Sequence, residues 1–96
     1  MLTWEEGPTP RHDWSPVLYT HDKERLNYDI YKKPENNKYQ LEILDGDSVL
    51  ECLFHTDIEK IKHYCELYAA EHDIHEKTIA LHREVVFGTD EVYRVG

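Results

Sequence analysis

The chain is short of most residues that announce a chemistry. Two cysteines, Cys52 and Cys65, are too few for a disulfide scaffold. Four glycines leave no glycine-rich loop to cradle a phosphate. The apolar runs span only a few residues, far below the ~20 needed to cross a bilayer, so no membrane contact is expected. The first residues, Met1-Leu2-Thr3-Trp4-Glu5-Glu6, have neither the basic nor the apolar stretch of a signal peptide, and a cytoplasmic location is expected. Basic residues are also scarce: 11 Lys and Arg stand against 20 Asp and Glu, a net charge of −9 with His neutral. The densest basic spots, Lys32-Lys33 and Lys60/Lys62, are flanked by acids. Direct binding to nucleic acid, which needs a basic stripe, is therefore not expected. There is no internal repeat and no low-complexity segment.

What the chain does have is apolar and aromatic content. Hydrophobic residues make up 40%, with seven Tyr, two Trp and two Phe, which excludes a disordered tail. Ninety-six residues fit a single domain, 1–96, able to bury roughly 60–70% of its unfolded surface.

Period-two alternation marks the strands. Tyr28-Asp29-Ile30-Tyr31-Lys32 and Tyr39-Gln40-Leu41-Glu42-Ile43 alternate, and Pro34-Glu35-Asn36-Asn37 between them is turn-rich. Tyr28 and Ile30 then share a face with Tyr39, Leu41 and Ile43. Asp45-Gly46-Asp47 is a second tight turn, and Val49–His55 a third strand with Leu50, Cys52 and Phe54 turned inward. Leu2–Glu5 and Val17–Tyr19 are candidate edge strands, broken apart by Gly7-Pro8-Thr9-Pro10. Thr56-Asp57-Ile58-Glu59 has the form of a capping box with Thr56 as cap. The helix it opens runs to about Glu71, with Ile58, Ile61, Cys65 and Tyr68 as an apolar stripe flanked by Tyr64 and Ala69. Beyond His72 the alternation of Ile79, Leu81, Val85 and Phe87 and the turn Gly88-Thr89-Asp90 favour a C-terminal hairpin. The good helix formers Glu76-Lys77 and Ala80-Leu81 favour a second helix. The expected fold class is α+β: a three- or four-stranded antiparallel meander packed on one amphipathic helix, with a C-terminal hairpin or second helix.

The order of parts from Trp4 to about Ala70 (Trp4, Trp14, the hairpin YDIYKKPENNKYQLEIL, a third strand, a helix opening TDIEKIKHYC) resembles small accessory domains of ββα type encoded by phages and prophages. The resemblance implies an origin, an architecture and a host protein as partner. It brings no functional residue with it.

Candidate chemistry is sparse. His72-Asp73-Ile74-His75, with His63 or Cys65, has the residue types for a metal, but Cys65 belongs to the core stripe and the helix dipole alone favours histidine at a C-terminus. Both cysteines read as buried, inert thiols that face the same core. Asp45-Gly46-Asp47 lacks the later ligands of a calcium loop. No cofactor is expected. Aromatics not needed for the core, ringed by acids, suit a protein-binding surface. The expected contact residues are Trp14 and Tyr31 with the acids Asp29, Glu42 and Glu51 on the exposed sheet face. The sequence thus points to a non-catalytic acidic protein-binding module, monomer or homodimer, of the phage-inhibitor kind. Its carboxylates would stand in for nucleic-acid phosphates in a host protein's basic cleft. Two other classes also fit: a metal-binding or hydrolytic protein using His63, His72 and His75, and a structural protein that self-associates through a sheet edge.

Overall fold

The computed structural model describes residues 2–8, 15–22, 26–33, 37–70, 76–88 and 93–94. Among these the chain forms one antiparallel sheet whose six strands lie in sequence order: β1 (Glu5–Glu6), β2 (Leu18–His21), β3 (Leu26–Lys33), β4 (Lys38–Asp45), β5 (Ser48–His55) and β6 (Tyr93–Arg94). Two helices, α1 (Ile58–Ala70) and α2 (Glu76–Phe87), separate β5 from β6. The fold is α+β. The expected meander is its centre, β3 to β5, extended by β2 and by two-residue strands at both edges.

The β3–β4 hairpin has the register its alternation dictates. Tyr28 pairs with Ile43, Ile30 with Leu41 and Lys32 with Tyr39. Tyr28, Ile30, Leu41 and Ile43 are fully buried against the α1 stripe of Ile61, Tyr64, Cys65 and Tyr68. Tyr28 meets Tyr68 edge-on with ring centroids 6.5 Å apart. Lys32 sits over the Tyr39 ring, 4.9 Å from its centroid. At the other end of β3, Asp22 closes the β2–β3 connection. Its amide donates to the Leu26 carbonyl, and its buried carboxylate accepts from the Leu26 amide at 3.1 Å and the Tyr28 hydroxyl at 2.8 Å. Burial first, then Asp22, holds the Tyr28 hydroxyl protonated.

At the N-terminal edge, the Gly7 amide donates to the Val17 carbonyl at 3.0 Å. A Cβ at position 7 would stand 1.8 Å from the Pro16 carbonyl oxygen, so only glycine lets these two segments approach so closely. The preceding residues tie back to the body of the domain. The Leu2 amide donates to Glu66 of α1 at 2.8 Å, and the Thr20 hydroxyl donates to the Thr3 carbonyl at 2.6 Å. Leu2 and Trp4 pack against the core.

The cap of α1 differs from the expected capping box by one residue. Asp57, not Thr56, is the cap: its Oδ1 accepts the Glu59 and Lys60 amides at 3.0 and 3.4 Å. A carboxylate at this position also complements the positive end of the helix dipole, which a hydroxyl does not. The Asp57 amide in turn donates to Nδ1 of the buried His55 at 2.9 Å, so the end of β5 and the start of α1 share one hydrogen-bonded corner.

The segment after His75 is a helix, not the first strand of a hairpin. Ile79, Val86 and Phe87 at helical spacing face the core, while Leu81 and Val85 are left exposed. Gly88, read in the sequence as a hairpin turn, ends the helix: its φ is +59° and its amide donates to the Glu84 carbonyl at 2.9 Å, an αL cap. Phe87 reaches the rings of His55 and Tyr64 at 4.8 and 5.7 Å. α2 therefore lies beside α1 on the same face of the sheet.

Candidate functional site

With both helices on one face, the opposite face is built from the alternate residues of β2 to β5. The strand register arranges it in rows. Asp29 of β3 stands across from Glu42 of β4, which stands across from Cys52 of β5. The next row holds Tyr31, Gln40 and Phe54. Tyr19 of β2 lies beside Asp29 and is 37% exposed.

At the centre of this face two carboxylates confront each other directly across a strand pair, an arrangement that is destabilising by itself. The Asp29 carboxyl is pushed above its ordinary value, by partial burial first and by the Glu42 charge second, while the Tyr31 hydroxyl, donating to Asp29, opposes the shift. The Tyr31 hydroxyl is raised in turn by burial and by both carboxylates. A carboxyl raised in the folded state holds its proton more tightly there than in the unfolded chain. It therefore lowers stability once pH exceeds both values, and the penalty vanishes as pH falls below the ordinary 3.8. Asp29→Asn, which keeps an acceptor for Tyr31, is expected to raise Tm at pH 7, with the gain shrinking to nothing below about pH 4. Paired melts at pH 7 and pH 3.5 check this, and a gain that persists at the lower pH contradicts it.

Asp29, Tyr31 and Glu42 are thus brought together as the sequence suggested, and Trp14 lies outside the described residues. Glu51 is placed otherwise. It is 3% exposed and faces the helices, where its carboxylate accepts the Tyr64 hydroxyl at 3.0 Å and stands 3.8 Å from Arg83 Nη1. The Tyr64 hydroxyl is driven upward by burial and by Glu51, with Arg83 opposing.

The reason is the register of β5. The two-residue turn at Gly46-Asp47, with Gly46 at φ +62°, sets Asp45 opposite Ser48, and a bulge at Ile43/Leu44 then brings Glu51 opposite Ile43 and Leu53 opposite Leu41. Glu51, Leu53 and His55 become the inward set. Leu50, Cys52 and Phe54, expected inside, belong to the other face or its rim, and Leu50 is 45% exposed. Cys52 accepts a hydrogen bond from Gln40 Nε2 at 3.4 Å. It is separated by the sheet from Cys65, whose thiol is raised well above its ordinary value by complete burial. The two thiols do not share a core.

Comparison with protein-family models, with curated proteins and with solved structures returned no match.

The histidine set does not gather among the described residues. His63 is exposed on α1, His72 and His75 lie outside the described residues, and no group of three or more His, Cys, Asp or Glu side chains among the described residues stands close enough to hold a metal ion. No helix among them is long and apolar enough to cross a membrane.

Sequence reasoning missed Gln40, Cys52 and Phe54 as members of the outer face. The signal was available for Gln40, which alternates with Leu41. For β5 it was not, because both of its faces carry large apolar residues.

Proposed function

We propose that the domain is a non-catalytic protein-binding module that uses the outer sheet face to hold a cationic segment of a partner protein. The reading is supported by one observation above others: Asp29 and Glu42 face each other across β3 and β4, and partial burial together with the Glu42 charge disfavours the charge on Asp29. A guanidinium or ammonium group placed between them removes the repulsion, so the energy held in the free face is recovered on binding. Tyr31 and Tyr19 beside the pair supply the amphipathic rings that dominate such contacts. On the resemblance to phage accessory domains, the partner is a host protein and the effect is inhibition, the carboxylates occupying a basic cleft as phosphates would.

The test is affinity capture from a bacterial lysate with the wild-type chain and with Asp29→Lys/Glu42→Lys. A captured protein that is lost on the double substitution, and whose retention weakens markedly from ~50 to ~500 mM salt, supports the reading. Capture indifferent to both changes overturns it.

A further inference from the structure

The bulge in the β4–β5 hairpin has an exposed product. Ile43 stands across from Glu51 and Leu44 across from Val49, so Leu50 is an extra residue with nothing opposite it on β4. Bulges bend a strand and re-aim its side chains, and they gather beside functional sites. This one brings three apolar side chains together at the turn end of the hairpin. Leu44 is half-buried, while Val49 is 52% and Leu50 45% exposed. Their solvation is a cost in the free chain that contact with an apolar group removes.

The patch adjoins the acidic pair. Leu44 follows Glu42 on the outer face by one strand period, about 7 Å along β4 at ~3.4 Å per residue, and Glu42 stands across from Asp29 on β3. Asp47, exposed in the turn, borders the patch at its other end. An apolar surface set between carboxylates is complementary to a segment that is both basic and apolar. A second copy of the chain is the wrong occupant, since it brings a net −9 and the same carboxylates to the same place.

We propose that the cationic segment of the partner lies extended along β4, its cation between Asp29 and Glu42 and an apolar side chain two residues away seated on Leu44, Val49 and Leu50. The spacing is the reason for an extended segment: its residues i and i+2 point to one side and stand about 7 Å apart, as Glu42 and Leu44 do. The carboxylates select the charge and the bulge supplies the anchor. Burying one leucine on two half-exposed aliphatic side chains is worth about tenfold in affinity.

The anchor rests on the outer face holding a cation, as in the proposed function, and three probe peptides separate the two. GSLTRTLSG has a leucine two residues to either side of its arginine, so it serves either direction along β4. GSSTRTSSG lacks the leucines, and GSLTQTLSG lacks the charge. In amide NMR titrations of the wild-type chain, GSLTRTLSG is expected to shift resonances of Asp29 and of residues 42–50. It is expected to bind about tenfold more tightly than GSSTRTSSG. Val49→Ser/Leu50→Ser is expected to erase that advantage while leaving the affinity for GSSTRTSSG unchanged. Equal affinity of the two arginine peptides for the wild-type chain, or shifts that spare residues 44–50, overturns the anchor. If in that case Glu42→Lys abolishes binding of both, the cation reading stands without it. If GSLTQTLSG binds as tightly as GSLTRTLSG, the carboxylates select nothing, and the cation reading falls together with the combined site.

Discussion

Leu53→Asp is expected to leave no cooperative thermal transition, whereas Leu50→Asp, three residues earlier in the same strand, is expected to melt within a few degrees of the wild-type chain. Leu53 is fully buried opposite Leu41, beneath α1. Truncating such a residue costs about 2–5 kcal/mol, and a carboxylate left unpaired in its place adds several more. That sum is comparable to the whole stability of a small domain, about 5–15 kcal/mol. Leu50 is exposed and loses little. Circular dichroism melts of the two variants decide between the faces of β5. If Leu50→Asp unfolds the protein and Leu53→Asp does not, the inward set is Leu50, Cys52 and Phe54 after all.

The second large effect concerns the polar contact inside the core. Glu51 is enclosed between Tyr64 of α1 and Arg83 of α2. Arg83→Leu removes its counter-charge while leaving the carboxylate buried. Breaking a buried pair from one side costs about 3–5 kcal/mol. Here the loss is expected near the lower end, because Arg83 keeps about a fifth of its side chain in solvent and the Tyr64 hydroxyl still donates. Replacing all three groups together, Glu51→Leu/Tyr64→Phe/Arg83→Leu, is expected to recover most of the loss, since no charge or donor then remains to be satisfied. Urea denaturation of the single and triple variants tests this. A triple variant as unstable as Arg83→Leu would mean that packing of the Arg83 stem, and not the charge of Glu51, holds α2 in place.

The same residues show where sequence reasoning succeeded and where it failed. The β3–β4 hairpin was legible because only one of its faces is apolar: a slip of one residue would bury Asp29 and Glu42 and expose Ile30 and Leu41. α1 was legible because its stripe has helical period and a capping signal, although Asp57 carries the cap. β5 was not, because Leu50, Cys52 and Phe54 make the more apolar of its two sets. That set nevertheless lies outward, since the turn and bulge fix the register and partners from both helices and the Asp57 amide satisfy Glu51 and His55. The partners of Glu51, Tyr64 and Arg83, lie 13 and 32 residues away from it, beyond any local pattern. α2 was ambiguous for a related reason: Ile79, Leu81, Val85 and Phe87 alternate, but burial falls on Ile79, Val86 and Phe87. Of the candidate site, the Asp29–Tyr31–Glu42 cluster followed from hairpin register alone, and the Gln40–Cys52 contact waited on the register of β5.

The sheet's strand order has a kinetic meaning. From β1 to β5 each strand joins its immediate predecessor, so the first five can assemble as a zipper of short-range pairings, the kind of topology that folds fast. The β5–β6 pairing, Leu53 with Arg94 and Phe54 with Tyr93, is the exception. Its ends are brought together only after both helices have doubled the chain back, and the closure entropy of that long loop is repaid by a ladder of two residues. The C-terminal strand should therefore dock last and open first, and its amides should exchange with deuterium well ahead of those in the central hairpin.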